Sequence, residues 1–122
     1  MFYINFYADQ NGKKPIENFI KGLQEKGKTS KTDRIRAEKI LTYLRVLRKY
    51  GTRAGKPYVK HIEDDIWELR PNQDRIFFFF WKDNTFVLLH HFLKKTQKTP
   101  RAEIKKAKRN MDDYLERSKE NE

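Results

Sequence analysis

Three neighbouring stretches indicate the fold of this chain: WELR at 67–70, RIFFFFW at 75–81 and FVLLHHF at 86–92. Each is short and rich in aromatic or β-branched residues, and turn-forming segments, PNQD and KDNT, separate them. This is the pattern of consecutive β-strands. A further candidate strand, YVKHI at 58–62, precedes them across an acidic EDD turn. Connections this short join antiparallel strands, so the four stretches predict an antiparallel meander.

The run of four phenylalanines at 77–80 places its strand within that meander. A strand with one face in water alternates polar and apolar residues, whereas a continuous apolar strand is covered on both faces. We therefore predict that this run lies in a central strand of the sheet. A helix is disfavoured here because the run is short and bounded by turns.

The first half of the chain predicts one strand and two helices. Apolar and other residues alternate over positions 2–6, which indicates a strand. Pro15 can open a helix because its missing N–H would be unpaired there anyway, and Gly27 is suited to a left-handed cap at the end of that helix. Ser30 and Asp33 then form a capping pattern at the start of a second helix. Two amphipathic helices joined by a short loop predict a hairpin packed on the sheet.

A last helix is predicted after the meander. Thr99 and Pro100 are suited to its N-terminus, and apolar residues then recur on one face from Ile104 onward. The polar tail at 116–122 is expected to fray. The predicted order is β-α-α-β-β-β-β-α in a single domain spanning residues 1–122.

Composition excludes several classes of protein. The chain has no cysteine, which rules out disulfides and thiolate metal sites. No apolar run approaches the roughly 20 residues that span a bilayer, and the N-terminus lacks the pattern of a signal peptide. We therefore expect a cytoplasmic protein that does not enter the membrane.

The charge points to the class of partner. Lys and Arg number 28 and Asp and Glu 17, which gives a formal net charge of +11. Such an excess attracts polyanions and favours a nucleic-acid partner. An acidic protein partner remains compatible with this charge, since both could use one basic face.

Metal-dependent and serine-dependent catalysis find little support. The three histidines, His61, His90 and His91, do not form a helical pair with ligand spacing, and adjacent residues of a strand point to opposite faces. The two serines lie at a helix start and in the tail, and no glycine-rich phosphate loop is present. We therefore predict that the protein uses neither a metal nor another cofactor.

What remains is a set of cations at or near predicted strand ends: Lys60, Arg70, Arg75, Lys94, Lys95 and Lys98. Such groups can hold a phosphate by charge-assisted hydrogen bonds, but solvated strand ends are also commonly charged. RNA cleavage is one reaction that cations can support without a metal. The 2′-OH is then the nucleophile, and the protein supplies a base, an acid and anion stabilisation.

The same stretches resemble the HigB branch of the RelE/ParE toxin superfamily, including its phage-derived relatives. That branch typically has W-E-L-R, then R-[IF]-F-[YF], then L-[LH]-x-F-x-K-K-[TS]-x-K-[TA]-P-x-x-E-I-x-x-A. The match is strong over residues 58–109, and the predicted element order extends it to the whole chain. One difference is His91, where these relatives often carry a small residue, frequently glycine.

The resemblance implies a RelE-like α+β fold, with a small antiparallel-rich sheet packed against an N-terminal helix hairpin and a C-terminal helix. It also implies a type II toxin that cleaves messenger RNA without a metal, usually on the 70S ribosome. The implied partner is a helix-turn-helix, HigA-like antitoxin, through which alone the toxin would reach operator DNA.

The resemblance also suggests site residues by position. The catalytic candidates are Arg70, Arg75, Lys94, Lys95 and, more loosely aligned, Lys60. The candidates for RNA contact are Phe92, Lys98, Trp67 and Lys105, although core or sheet packing is the alternative role for both aromatic residues.

Two other functions share this fold or charge. A ParE-like toxin would inhibit DNA gyrase by protein contact and would not need a compact phosphate-binding cluster. A non-catalytic accessory domain would bind nucleic acid without cleaving it.

Overall fold

The computed structural model describes residues 1–120. The elements, in chain order, are β1 (Tyr3–Phe6), α1 (Pro15–Lys26), α2 (Lys31–Tyr50), a 3₁₀ turn (Gly51–Ala54), β2 (Val59–Glu63), β3 (Ile66–Leu69), β4 (Asp74–Phe80), β5 (Thr85–Leu93) and α3 (Arg101–Glu120). The predicted order of strands and helices is therefore confirmed, as is the α+β class.

The sheet has five strands in the order β1-β5-β4-β3-β2. Strands β2 to β5 form the predicted antiparallel meander, and β1 adds to its far side in parallel with β5. β4 is central, as its run of phenylalanines predicted. The sheet is consequently mixed, with one parallel pair beside three antiparallel pairs.

Alternation along β4 divides the core between two faces of the sheet. Ile76 and Phe78 pack with the helix hairpin of α1 and α2, in a cluster that includes Ile20, Ile40 and Leu47. Side chains on the other face pack against α3 in a second cluster, which includes Phe77, Phe79, Val87, Leu89, Ile104 and Ala107. We call these the hairpin face and the α3 face.

The phenylalanine run is not uniformly buried. Phe77 and Phe78 are fully buried, but Phe80, the last residue of β4, is 47% exposed. Phe80 instead packs edge-on against Phe2 and Phe86, with ring centroids 6.1 and 5.1 Å away. The strand is therefore covered on both faces only up to Phe79.

The helix ends confirm two of the expected signals and correct a third. Pro15 opens α1, and the Ser30 hydroxyl accepts a hydrogen bond of 3.3 Å from the main-chain N–H of Asp33 at the start of α2. Gly27, however, has φ −64° and is right-handed, so the predicted left-handed cap is wrong. The reason for glycine there is a close approach, because a Cβ would lie 2.9 Å from the Cα of Arg34.

α3 begins at Arg101, directly after Thr99 and Pro100, and continues to Glu120. Residues 116–120, which were expected to fray, are therefore helical, while 121–122 lie outside the described residues. The guanidinium of Arg117 donates to Asp113 at 2.7 Å and to the main-chain oxygen of Ala8. The bond to Ala8 ties the end of α3 to the chain after β1.

Candidate functional site

The register of the meander gathers charged residues on the α3 face. Cross-strand partners share a face, and Glu68 faces both Lys60 of β2 and Phe77 of β4. Arg75 lies two residues before Phe77 on the same strand, so its side chain points the same way. The same argument places Arg70 beside Glu68, and Lys94 beyond Phe92, the partner of Arg75. We call Lys60, Arg70, Arg75 and Lys94 the basic cluster.

A buried carboxylate lies at the centre of the basic cluster. Glu68 is only 1% exposed. Its Oε1 lies 3.4 Å from Nε of Arg70 and 3.7 Å from Nε of Arg75. Both arginines therefore form ion pairs with the same carboxylate oxygen. Their side chains remain partly exposed, 25% for Arg70 and 11% for Arg75.

Arg75 is also held by the main chain of the turn between β3 and β4. Its Nη1 donates to the carbonyl oxygens of Asn72 and Asp74. Asn72 has φ +59°, a left-handed conformation that asparagine tolerates better than most residues. Arg75 is thus the more fixed of the two arginines, and Arg70 the more accessible.

The two lysines flank this pair. Lys60 lies directly across from Glu68 on β2, and it is exposed. Lys94 follows β5, and its main-chain N–H donates to the carbonyl of Gln73 at 2.8 Å. This bond ties Lys94 to the β3–β4 turn. The same turn holds Arg75, so it positions two members of the basic cluster.

Burial and mutual repulsion shift the pKa values of this site. Burial raises the pKa of Glu68 above its ordinary value, although all four cations of the cluster act in the opposite direction, Arg75 most strongly. Burial lowers the pKa of Lys94. The positive charges of Arg75, Arg70 and Lys60 lower it further, whereas the negative charge of Glu68 raises it. A lysine with a lowered pKa has a larger neutral fraction, which is the form that can accept a proton.

A groove of about 660 Å³ runs beside Lys60, between β2 and the segment that leads into α3. Its wall is braced by Glu63, which accepts hydrogen bonds from Arg101 and Lys108 of α3. These bonds lower the pKa of Glu63 to about 2. The residues that line the groove are Lys60, His61, Ile62, Glu63, Thr96, Lys98, Thr99, Pro100, Arg101 and Ile104.

This arrangement can bind an anion and stabilise added negative charge. Guanidinium groups bind phosphate oxygens through paired donors and stay charged at any physiological pH. Within the described part of the chain, no three His, Asp or Glu residues lie close enough to hold a metal ion together.

The comparison with protein families matches residues 18–112 to the family described as phage-derived protein Gp49-like. The chain belongs to this family. The Gp49-like family is part of the RelE/ParE-like toxin superfamily, so the chain is toxin-like, and an antitoxin is the partner that such a family suggests. Comparison with curated proteins gives no match. Among the helices described, none is both long and apolar enough to cross a membrane.

The structure of this Gp49-like chain brings together four of the five candidate catalytic residues. These are the members of the basic cluster, whereas Lys95, the next residue after Lys94, is exposed. Phe92 is on the same face, opposite Arg75, but it is only 9% exposed and packs against Phe77 with ring centroids 5.2 Å apart. Little of its ring is therefore open to a ligand.

The other candidates for RNA contact are dispersed. Trp67 is the cross-strand partner of Phe78, which places it on the hairpin face, partly buried against that core. Neighbouring residues of β3 point to opposite faces, so Trp67 and Glu68 lie on opposite faces of the sheet. Lys98 lines the groove, whereas Lys105 is exposed on α3 outside it.

Sequence reasoning missed Glu68 and Arg101 of this candidate site. Glu68 lies inside the quoted W-E-L-R stretch, where Ile66 and Glu68 share a face, so an acid at an inward position was the available signal. Arg101 gave no such signal, since its contact with Glu63 joins residues 38 positions apart.

His91, the noted difference from relatives, lies on the hairpin face, away from the basic cluster. Its Nε2 lies 2.8 Å from Oδ1 of buried Asp74, and its ring stacks on Phe19 with centroids 3.8 Å apart. Arg36 of α2 binds the same carboxylate at 2.8 Å. In this Gp49-like chain His91 therefore joins the helix hairpin to the sheet.

Proposed function

We propose that this Gp49-like chain is a HigB-like toxin of a type II toxin–antitoxin pair, and that it cleaves messenger RNA on the ribosome without a metal. The observation that carries the proposal is the convergence of the basic cluster on one buried carboxylate, Glu68, at the end of the sheet beside an open groove. A cluster of this kind suits a phosphodiester that gains charge during reaction.

The reaction needs no nucleophile from the protein. The 2′-OH of one nucleotide attacks the adjacent phosphorus and loses its proton to a base. The bond from phosphorus to the 5′-oxygen of the next nucleotide then breaks, and that oxygen takes a proton from an acid. The products are a 2′,3′-cyclic phosphate and a 5′-OH end.

The geometry suggests a role for each member of the basic cluster. Arg70 and Arg75 bind the non-bridging oxygens and stabilise the charge of the transition state. Lys94, whose pKa is lowered, takes the proton of the 2′-OH. Lys60, at the mouth of the groove, gives a proton to the leaving oxygen or holds the backbone.

The groove extends the binding site beyond the scissile phosphate. Lys98 and Arg101 line this groove together with Lys60, so it offers positive charges outside the basic cluster. The small exposed part of Phe92 contacts the base next to the phosphate. Lys95 contributes to backbone attraction from outside the cluster.

The proposed antitoxin is a helix-turn-helix, HigA-like protein that carries the toxin to operator DNA. It would neutralise the toxin by covering the basic surface near Arg70 and Lys95 with acidic or apolar residues. The formal net charge of +11 supports an acidic contact surface on such a partner.

The test is cleavage of messenger RNA by purified protein, with and without 70S ribosomes and with EDTA. We expect ribosome-stimulated cleavage, unaffected by EDTA, that leaves 2′,3′-cyclic phosphate ends. Arg70→Ala should lose roughly 10²-fold in rate, as when one preorganised donor is removed. Loss of activity in EDTA would contradict the mechanism. Growth arrest without RNA cleavage, together with inhibited DNA supercoiling, would instead support the gyrase-directed alternative.

A further inference from the structure

Glu68 is an acid at a buried position where its carboxylate is incompletely hydrogen-bonded. Among residues 1–120, its Oε2 and the Nε of Arg75 are both buried without a hydrogen-bond partner. Ile66 and Phe77, its neighbours on the same face, are fully buried apolar residues. Burial outweighs the attraction of the four cations and raises the pKa of Glu68, and a buried ion pair is weak evidence for stability, so stability gives little reason for an acid here.

Glu68 is too deeply buried to touch RNA. At 1% exposure it can neither accept a proton from a 2′-OH nor bind a phosphate. What it does contact is the Nε of Arg70 and the Nε of Arg75. Since Nη1 of Arg75 already donates to the main chain of the β3–β4 turn, the atoms left to face a ligand are Nη2 of Arg75 and the two Nη groups of Arg70.

Without a negative charge between them, the two guanidinium groups would repel each other. Arg70 and Arg75 come from opposite sides of one turn, and each approaches the same oxygen, Oε1 of Glu68. Lys60 and Lys94 add two further positive charges to the same space. A single buried acid can therefore keep four cations together before RNA arrives.

We propose that Glu68 is a positioning residue, whose carboxylate holds Arg70 and Arg75 by their Nε groups so that both guanidinium groups are ready to bind the scissile phosphate. The inference rests on the proposed function for the identity of the ligand, the scissile phosphate of RNA. The ion pairs between Glu68 and the two arginines are present without RNA. Preorganised donors matter because a misplacement of about 1 Å can lower a rate by roughly 10²-fold.

The experiment compares Glu68→Gln with Asp74→Asn. Both variants remove one buried carboxylate charge, but Asp74 points to the hairpin face, and its main-chain bond to Arg75 survives the substitution. We expect Glu68→Gln to lower kcat about 10- to 100-fold, with KM changed less than about threefold. Asp74→Asn should keep the parental kcat under conditions where it is folded. Equal kcat in Glu68→Gln and the parent would overturn the proposal.

A second readout follows from Lys94. Its surroundings are Lys60, Arg70, Arg75 and Glu68, of which only Glu68 is negative. Removing that charge should lower the pKa of Lys94 further, so the acidic limb of the pH profile of kcat/KM should move to lower pH in Glu68→Gln. Glu68→Asp keeps the charge and should keep the limb in place. A limb that stays put in Glu68→Gln would count against this inference.

The third readout does not depend on cleavage. In the parent without RNA, NMR should show separate, slowly exchanging Nε–H signals for Arg70 and Arg75. In Glu68→Gln both side chains should become mobile, and both signals should be broadened or averaged. If Glu68→Gln does not fold, Glu68→Asp takes its place and should shift both signals. If the variant keeps the parental signals, the positioning role is overturned. If Glu68→Gln loses these signals but the parent cleaves no RNA, only the proposed reaction is overturned.

Discussion

Two buried carboxylates on opposite faces of the sheet differ in how they are bonded. Asp74, on the hairpin face, is 2% exposed and accepts hydrogen bonds of 2.8 Å from Arg36 and from His91. Burial tends to raise its pKa, but the hydrogen bonds from His91 and Arg36 outweigh burial and lower it. Glu68, on the α3 face, is as deeply buried, yet its pKa is raised and one of its oxygens has no partner within residues 1–120.

We propose that this difference separates a stabilising contact from a functional one. A satisfied buried charge fixes the helix hairpin to the sheet, and its removal should reduce stability. An unsatisfied buried charge amid cations is a local energetic cost, and such features are concentrated at sites that bind or react. Burial by itself does not distinguish the two, whereas the completeness of hydrogen bonding does.

The largest expected effect tests the core that supports both carboxylates. Phe78→Ala should lower the free energy of unfolding by about 3–5 kcal/mol, because Phe78 is fully buried at the centre of the sheet. Phe80→Ala is the matched control, with the same residue type on the same strand but 47% exposed, and should lower it by about 1 kcal/mol. Denaturant unfolding measures both. Equal losses would contradict the described burial of this strand.

The next effect contrasts the two carboxylates directly. Asp74→Ala should lower the free energy of unfolding by about 2–4 kcal/mol, because it removes three charge-assisted hydrogen bonds, two from Arg36 and one from His91, and leaves Arg36 only its 3.8 Å ion pair with Asp33. Glu68→Gln should leave stability unchanged or slightly higher, because the environment of Glu68 disfavours its charged form. Urea titrations of both variants at neutral pH measure the contrast. A larger loss at Glu68 than at Asp74 would reverse our assignment of roles.

The pH dependence of stability should have opposite signs at the two residues. The lowered pKa of Asp74 adds stability above its ordinary value of 3.8, and that stability is lost as the pH falls through the lower, folded pKa. The raised pKa of Glu68 adds stability below its ordinary value of 4.5, which is lost as the pH rises through the folded pKa. Each pKa unit corresponds to about 1.4 kcal/mol. Unfolding of the parent, Asp74→Asn and Glu68→Gln between about pH 3 and 8 should show these two trends, and trends of the same sign would contradict the comparison.

The smallest effect concerns peripheral lysines. Lys98→Ala, inside the groove, should weaken RNA binding a few-fold and reduce its salt dependence by about one unit of slope. Lys105→Ala removes the same charge outside the groove and should change binding by less than about twofold. Binding titrations at several salt concentrations separate the two. Indistinguishable variants would argue that the groove does not carry the RNA.

The fold was largely predictable because its signals are local. The strands, the helix order and the central position of residues 77–80 followed from periodicity and turn residues within short windows. The misjudged features depended on partners distant in sequence. Gly27 is explained by a close approach of Arg34 from the next helix, and the end of α3 by contacts of Arg117 with the chain after β1.

The candidate site was predictable only in its cations. Arg70 and Arg75 flank one turn, so their proximity follows from a meander. The burial of Glu68 and the placement of Trp67 on the other face depend on which residues of β3 point inward. A register shift of one residue would exchange those two side chains between faces, and short alternating stretches do not determine the register by themselves.

The most direct test of the division between the two faces compares two arginines that bind the same segment. Arg75 donates to the main-chain oxygen of Asp74, and Arg36 binds the side chain of the same residue from the hairpin face. Cleavage of ribosome-bound messenger RNA should be measured for both alanine variants at a temperature where each is folded. We predict that Arg75→Ala loses roughly 10²-fold in rate under conditions where it is folded, whereas Arg36→Ala cleaves at nearly the parental rate under the same conditions. Parental cleavage by Arg75→Ala, or an equal loss in Arg36→Ala, would contradict the account.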